Sequence, residues 1–192
     1  MYAMPDRAAT FSVHALPGIG EIRPGSDLAS VISDGLAAAG LRLQAEDVVV
    51  VAQKAVSKAE GRFVRLDEVE PSPRALELAS VTGKDARLVE VILRESAEVL
   101  RAKPKVLITR HRLGLVMAQA GVDQSNVPGP GCVLLLPADP DRSAESLRAR
   151  LMSLCGVEVG VIVSDSFGRP WRLGTTNVAI GAAGVPSLWD RR

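Results

Sequence analysis

The sequence predicts an α+β fold in which strands and helices mix without strict alternation, or else a mixed α/β arrangement. Three observations carry this. Residues 48–51 are four consecutive valines, a β-branched run of strand length. Other segments repeat apolar residues at helical spacing, among them Leu28, Val31, Ile32 and Leu36. The two kinds of segment do not take turns as a doubly wound parallel sheet requires. The 192 residues contain no internal repeat and no low-complexity linker. Their length suits one large domain or two small ones with a sizeable core.

In chain order, residues 11–15 read as a short strand, and Leu16-Pro17-Gly18-Ile19-Gly20 as a loop. Ser26 or Asp27 can cap the first helix, which Gly40 stops. The valine run and Ala52 read as a strand buried on both faces. A polar, lysine-bearing stretch, residues 53–61, leaves its end, a position where ligand sites often lie. Pro71 and Pro73 precede a helix over about 74–81. A second helix starts near Asp85, with Leu88, Val91, Ile92 and Val99 at helical spacing. Residues 105–109 and 113–117 read as two strands around a charged turn, and 121–131 as a long polar loop. Residues 132–136 form a further strand. Ser143 caps a helix carrying Leu147, Leu151 and Leu154, and residues 157–163 form a strand that runs into Ser164-Asp165-Ser166.

Composition excludes several classes. Hydrophobic residues make up 47% and charged residues 23%, ordinary globular values. The net charge of +1 gives no global field for DNA or an anionic membrane, and 3% aromatics leave little with which to stack bases. No apolar run has the length of a signal-peptide core or a bilayer span, so a cytoplasmic protein is expected. Cys132 and Cys155 read as reduced, buried thiols, with a disulfide as the alternative. With His14 and His111 as the only histidines, both read as plain structural or surface residues. A bound metal would then be held by oxygen, which points to magnesium, manganese or calcium.

Two loops carry residues suited to such an ion. In Gly121-Val122-Asp123-Gln124-Ser125-Asn126 the only charge is Asp123. Asp165 stands at the C-terminal end of an apolar strand, with Ser166 able to add a hydroxyl oxygen. Magnesium takes one or two protein carboxylates and fills its remaining positions with water and phosphate oxygens. The competing reading makes both aspartates turn formers or helix caps. Lys54, Lys58, Arg169 and Arg172 flank these segments as candidate phosphate or carboxylate partners, against the reading of solvated surface charge. There is no Walker-type loop, no dinucleotide fingerprint and no nucleophile–histidine signature.

Taken in order, several motifs resemble the coenzyme F-420-0:L-glutamate ligase family over roughly residues 11–184. They are Leu16-Pro17-Gly18-Ile19, Val56-Ser57-Lys58-Ala59-Glu60-Gly61-Arg62, Leu93-Arg94-Glu95-Ser96, and Gly121-Val122-Asp123-Gln124-Ser125-Asn126. Leu136-Pro137-Ala138-Asp139-Pro140-Asp141, Ser164-Asp165-Ser166-Phe167-Gly168-Arg169-Pro170-Trp171-Arg172 and Val178-Ala179-Ile180-Gly181 complete the set. Several ordered motifs are far more specific than any one.

The resemblance implies an unusual α+β domain over residues 1–192, incomplete at its C-terminus relative to the family, that forms an intertwined homodimer. It implies that GTP phosphorylates the coenzyme's carboxylate and that the amine of L-glutamate displaces phosphate. Mg2+ or Mn2+ would assist, and K+ is a further cation it allows. By the same resemblance Asp123 and Asp165 are metal ligands and the catalytic pair. Ser166 stands where the family often has threonine. Leu16, Pro17, Gly18, Ile19, Gln53, Lys54, Lys58 and Asn126 match nucleotide-contacting positions. Chains of the family continue past residues 185–192, into a part with more nucleotide contacts and a second metal's ligand. The resemblance therefore implies that these residues alone are a weaker ligase than an extended version. The readings that compete with a ligase are a coenzyme- or GTP-binding module without turnover, and an unrelated metal-dependent phosphohydrolase.

Overall fold

The computed structural model of the chain describes residues 10–168, 171 and 173–187. These form five α-helices and eight strands in three small sheets, an α+β fold. Residues 11–15 are not the predicted strand. Phe11 and Val13 are 92% and 84% exposed, and among the described residues no strand pairs with them. Alternating composition cannot make a strand without a partner for its N–H and C=O groups. The loop after it leans on helix α1 (Leu28–Ala38). A Cβ on Gly35 would lie 2.9 Å from Ile19 Cδ1, so that glycine is what lets the loop approach. Of the two candidate caps, Asp27 is the one used: its Oδ1 accepts from the N–H groups of Ala29 and Ser30.

Strand β1 (Val48–Ala52) follows, but it is not buried on both faces. It lies parallel to β7 (Gly160–Gly168), which pairs antiparallel with β8 (Thr175–Ala183). Helices α1 and α5 (Pro140–Cys155) cover one face of this sheet, and Val51, Val161 and Val163 are buried there with Ile32 and Leu151. On the other face Val48 and Val50 are 46% and 62% exposed. A run of valines satisfies either arrangement, so the second face was not legible. Helix α5 is capped by Asp139 with Pro140 at its first position, rather than by Ser143.

The stretch after β1 is also corrected. Residues 53–59 form helix α2 (Gln53–Ala59), which turns Val56 and Ser57 inward. Beyond it, β2 (Phe63–Arg65) pairs antiparallel with β6 (Cys132–Leu134). Helices α3 (Pro73–Thr82) and α4 (Ala86–Glu95) begin at the caps Ser72 and Asp85. Val99 does not continue α4. It lies on β3 (Ser96–Lys103), which pairs with β4 (Val106–His111), and β4 pairs with β5 (Val116–Ala118). A second core, including Leu78, Ile92, Leu107 and Val133, joins these helices to β4 and β6. Both cysteines are free thiols; Cys132 is buried and Cys155 half-buried. Among the described residues no helix is long and apolar enough to cross a membrane.

Candidate functional site

The site forms where the parallel pair β1–β7 ends. Their register sets Ala52 opposite Ser164, so the start of α2 emerges beside Asp165. Side chains alternate along a strand, and Asp165 falls on the same face as buried Val161 and Val163. The strand does not stop at residue 163 as the sequence suggests but continues to Gly168 against β8. A bulge at that level leaves Ile180 unpaired between Gly181 and Ala179. Such bulges re-aim side chains beside functional sites.

Gln53 is buried, and its Oε1 accepts from Ser57 Oγ at 2.9 Å. With that oxygen engaged, its NH2 is the group left to favour the charged form of the Asp165 carboxylate. Lys54, one residue on, reaches Asp123: Nζ lies 2.5 Å from Oδ2 and donates to Ser125 Oγ at 2.9 Å. Asp123 arrives from the other side, on the loop after β5. Its own backbone makes a two-bond bridge with Leu134 of β6, 2.9 and 2.8 Å. Ser125 closes an Asx turn on it, with both N–H (2.7 Å) and Oγ (2.8 Å) donating to Oδ1.

The two carboxylates differ in electrostatics. Burial would raise Asp123, but hydrogen bonds from Lys54 and Ser125 and the lysine's charge outweigh it and hold the group below its ordinary value. Burial pushes Asp165 above its ordinary value. The Ser166 N–H, Gln53 and Lys54 pull it down without cancelling that effect, and the charge of Asp123 adds to the rise. A half-buried carboxylate that feels the charge of a second one is a place that favours a cation. Lys54 supplies one positive charge and pairs with Asp123; among the described residues no ion pair is made by Asp165.

This chemistry fits a magnesium-type ion. Among the described residues no three His, Cys, Asp or Glu groups converge, so the donor set is not a closed protein cage. A magnesium ion held by two carboxylates takes water and phosphate oxygens at its remaining positions.

The other candidate residues are placed less closely. Ser166 is exposed, and strand alternation directs its hydroxyl to the face opposite the Asp165 carboxylate. Asn126 is exposed in the Asp123 loop with φ +55°, a left-handed value that asparagine tolerates. Leu16 packs on the core that holds Val51 and Val163, and Gly18 takes φ +72° within the Leu16-Pro17-Gly18-Ile19 loop. No hydrogen bond joins that loop or Lys58 to the carboxylates among the described residues. Arg169 and Arg172 lie outside the described residues. Sequence reasoning missed the part played by Ser125 and Ser57. The Asp-x-Ser spacing of an Asx turn was the available signal for the first.

The Leu93-Arg94-Glu95-Ser96 motif is structural in its contacts. Burial opposes the Glu95 charge, but His111, Arg112 and Arg62 outweigh it and hold the carboxylate below its usual value. Arg62 and Arg112 lie 3.1 and 3.0 Å from Oε2. His111 Nδ1 accepts the Leu113 N–H at 2.9 Å, which turns Nε2 toward Glu95, 3.6 Å away. His111 is thus a buried structural residue. A groove of about 530 Å3 runs along α1, the end of α2 and α5. Its acids are already engaged: Asp27 caps α1 and holds Arg150, Glu60 accepts from Ser143, and Asp139 caps α5.

Residues 18–192 match the family described as F420-0:Gamma-glutamyl ligase. The chain is similar to the coenzyme F420:L-glutamate ligase of Methanopyrus kandleri, 52% identical over 183 residues, which cover 95% of this chain and 70% of that protein. It is 45% identical to the Archaeoglobus fulgidus enzyme of the same name, over 96% of this chain and 70% of the relative. The Methanothermobacter thermautotrophicus enzyme is 43% identical over 94% and 71%.

Proposed function

The chain belongs to the F420-0:gamma-glutamyl ligase family, and on that premise we propose that it joins L-glutamate to the terminal carboxylate of coenzyme F420-0 at the expense of GTP. The observation that carries the reading is that Lys54, at the end of β1, holds Asp123 where its charge reaches the half-buried Asp165. A free carboxylate is a poor electrophile. Attack of a coenzyme carboxylate oxygen on the γ-phosphorus of GTP gives an acyl phosphate and releases GDP. The glutamate amine then adds to the acyl carbon, loses a proton, and expels phosphate as the amide forms.

Asp123 and Asp165 would hold Mg2+ or Mn2+ from one face of β7; the Ser166 hydroxyl, on the opposite face, does not reach the same ion. The bound ion would neutralise the crowded phosphates. Lys54 holds Asp123 in place and presents a point charge to phosphate. Gln53, whose amide favours the charged form of Asp165, would steady that carboxylate. The Leu16-Pro17-Gly18-Ile19 loop, Lys58 and Asn126 complete the nucleotide contacts in this reading. K+ is a further cation, tested by exchanging it for Na+ in the assay.

Incubation with GTP, magnesium, glutamate and the coenzyme tests the whole. Amide formation with GDP release supports it. Phosphate release without an amide marks a phosphohydrolase, and binding without turnover a binding module.

Two expected outcomes belong here. Lys58→Ala weakens GTP binding, and the loss shrinks as salt rises, because an exposed charge is screened within about 10 Å at 0.1 M. Calorimetry at two salt concentrations checks it; unchanged affinity returns Lys58 to surface charge. The homodimer is part of the same reading. Sedimentation as a monomer across micromolar concentrations counts against it.

A further inference from the structure

We propose that the left-handed turn Gln119–Gly121, pinned by Lys84, is the device that positions Asp123 for cation binding. The inference rests on the metal reading given above. Gln119, Ala120 and Gly121 have φ values of +55°, +51° and +68°, and the Val122 N–H closes the turn on the Gln119 carbonyl at 2.9 Å. Three successive residues in this region make one turn of left-handed helix. For an L-residue with a Cβ that conformation costs roughly 1–2 kcal/mol. Gln119 and Ala120 both carry that cost, and only Gly121 is free of it.

The surroundings hold the turn in place. Ala120 is fully buried in the core of α3 and α4. Gly121 lies so close to Leu136 that a Cβ would stand 2.9 Å from its Cγ. Lys84, in the link between α3 and α4, donates to Gln119 Oε1 at 2.6 Å across 35 positions of sequence. Two residues after the turn Asp123 makes its bridge to Leu134, so its backbone is fixed from both sides. Strain that packing over-determines is characteristic of functional positions. Without the turn, β5 would continue extended and carry Asp123 away from Lys54 and Asp165.

The test separates positioning from mere structure. Ala120→Gly relieves the left-handed cost while deleting one buried methyl, two effects of similar size and opposite sign. The variant should therefore unfold within a few degrees of wild type. Mn2+ binding, measured by calorimetry without substrates, should weaken about tenfold or more, and amide-exchange protection of Asp123 and Leu134 should fall. Lys84→Met should weaken Mn2+ binding in the same direction, and Lys84→Arg should restore part of it. A folded Ala120→Gly protein with wild-type Mn2+ affinity overturns the positioning role and leaves the metal site standing. A wild-type protein that takes up no Mn2+ overturns both.

Discussion

Replacing Asp165 by asparagine is expected to reduce metal-dependent ligation by about a hundredfold or more while leaving the metal-free protein as stable as wild type, or more so. The first half follows from the charge the ion neutralises, a contribution of several kcal/mol to phosphoryl transfer. The second half follows from the direction of the pKa. Burial, then the charge of Asp123, raises Asp165 above its unfolded value. As pH rises through the window between those two values, the unfolded chain gives up its proton first. Stability therefore falls across that window, and the full cost remains at neutral pH. Asparagine removes the titration and the repulsion from Asp123, and its amide can still meet Gln53. Wild-type Mn2+ affinity should also strengthen with pH across the same window, because the ion competes with the proton on Asp165. Thermal unfolding without metal, beside steady-state kinetics, checks both halves; full activity in Asp165→Asn removes Asp165 from the site. Asp123→Asn should lose activity to a similar degree but without the gain in stability, because it breaks the Lys54 ion pair, while the asparagine oxygen still accepts the Asx-turn bonds from Ser125.

Gly181→Ala is expected to be the most damaging single methyl in the fold, at about 3 kcal/mol or more. A Cβ there would stand 2.3 Å from both the carbonyl carbon and oxygen of Pro140. These are backbone atoms at the first position of α5, and they cannot swing aside as a side-chain end can. Strand β8 or the helix would have to move as a unit, and with it the sheet that carries Asp165. At 2–4 °C per kcal/mol for a chain of this size, the midpoint should fall by roughly 6–12 °C. Gly20→Ala is the control. Its Cβ would meet nothing within 4 Å, so the change should lie within about 0.5 kcal/mol. A Gly181→Ala midpoint equal to the control's would mean that α5 does not sit on β8 in this way.

Helices with side-chain caps were the most legible elements. Asp27, Ser72 and Asp85 each stand directly before an apolar stripe, and a cap and a stripe are local properties. Helix α2 was missed because it has seven residues, two lysines and no side-chain cap. Val99 fits a helical period and a strand period equally, and its place on β3 depends on the partner β4. The expected strand at residues 11–15 failed for the same reason in reverse, since its pattern is right and no partner for it lies among the described residues.

The sequence by itself pointed to carboxylate oxygens as the candidate donors, because two histidines and two distant cysteines supply no nitrogen or sulfur cage. It also singled out Asp123 and Asp165 within two small polar motifs. Tertiary structure alone decided that the charge of Asp123 reaches Asp165, 42 positions away, and that Lys54 pairs with Asp123. The parallel register of β1 on β7 sets one side, and the left-handed turn with the Leu134 bridge sets the other. Register is chosen by which faces of distant strands bury together. That choice is made among contacts far apart in the chain, and no local propensity encodes it.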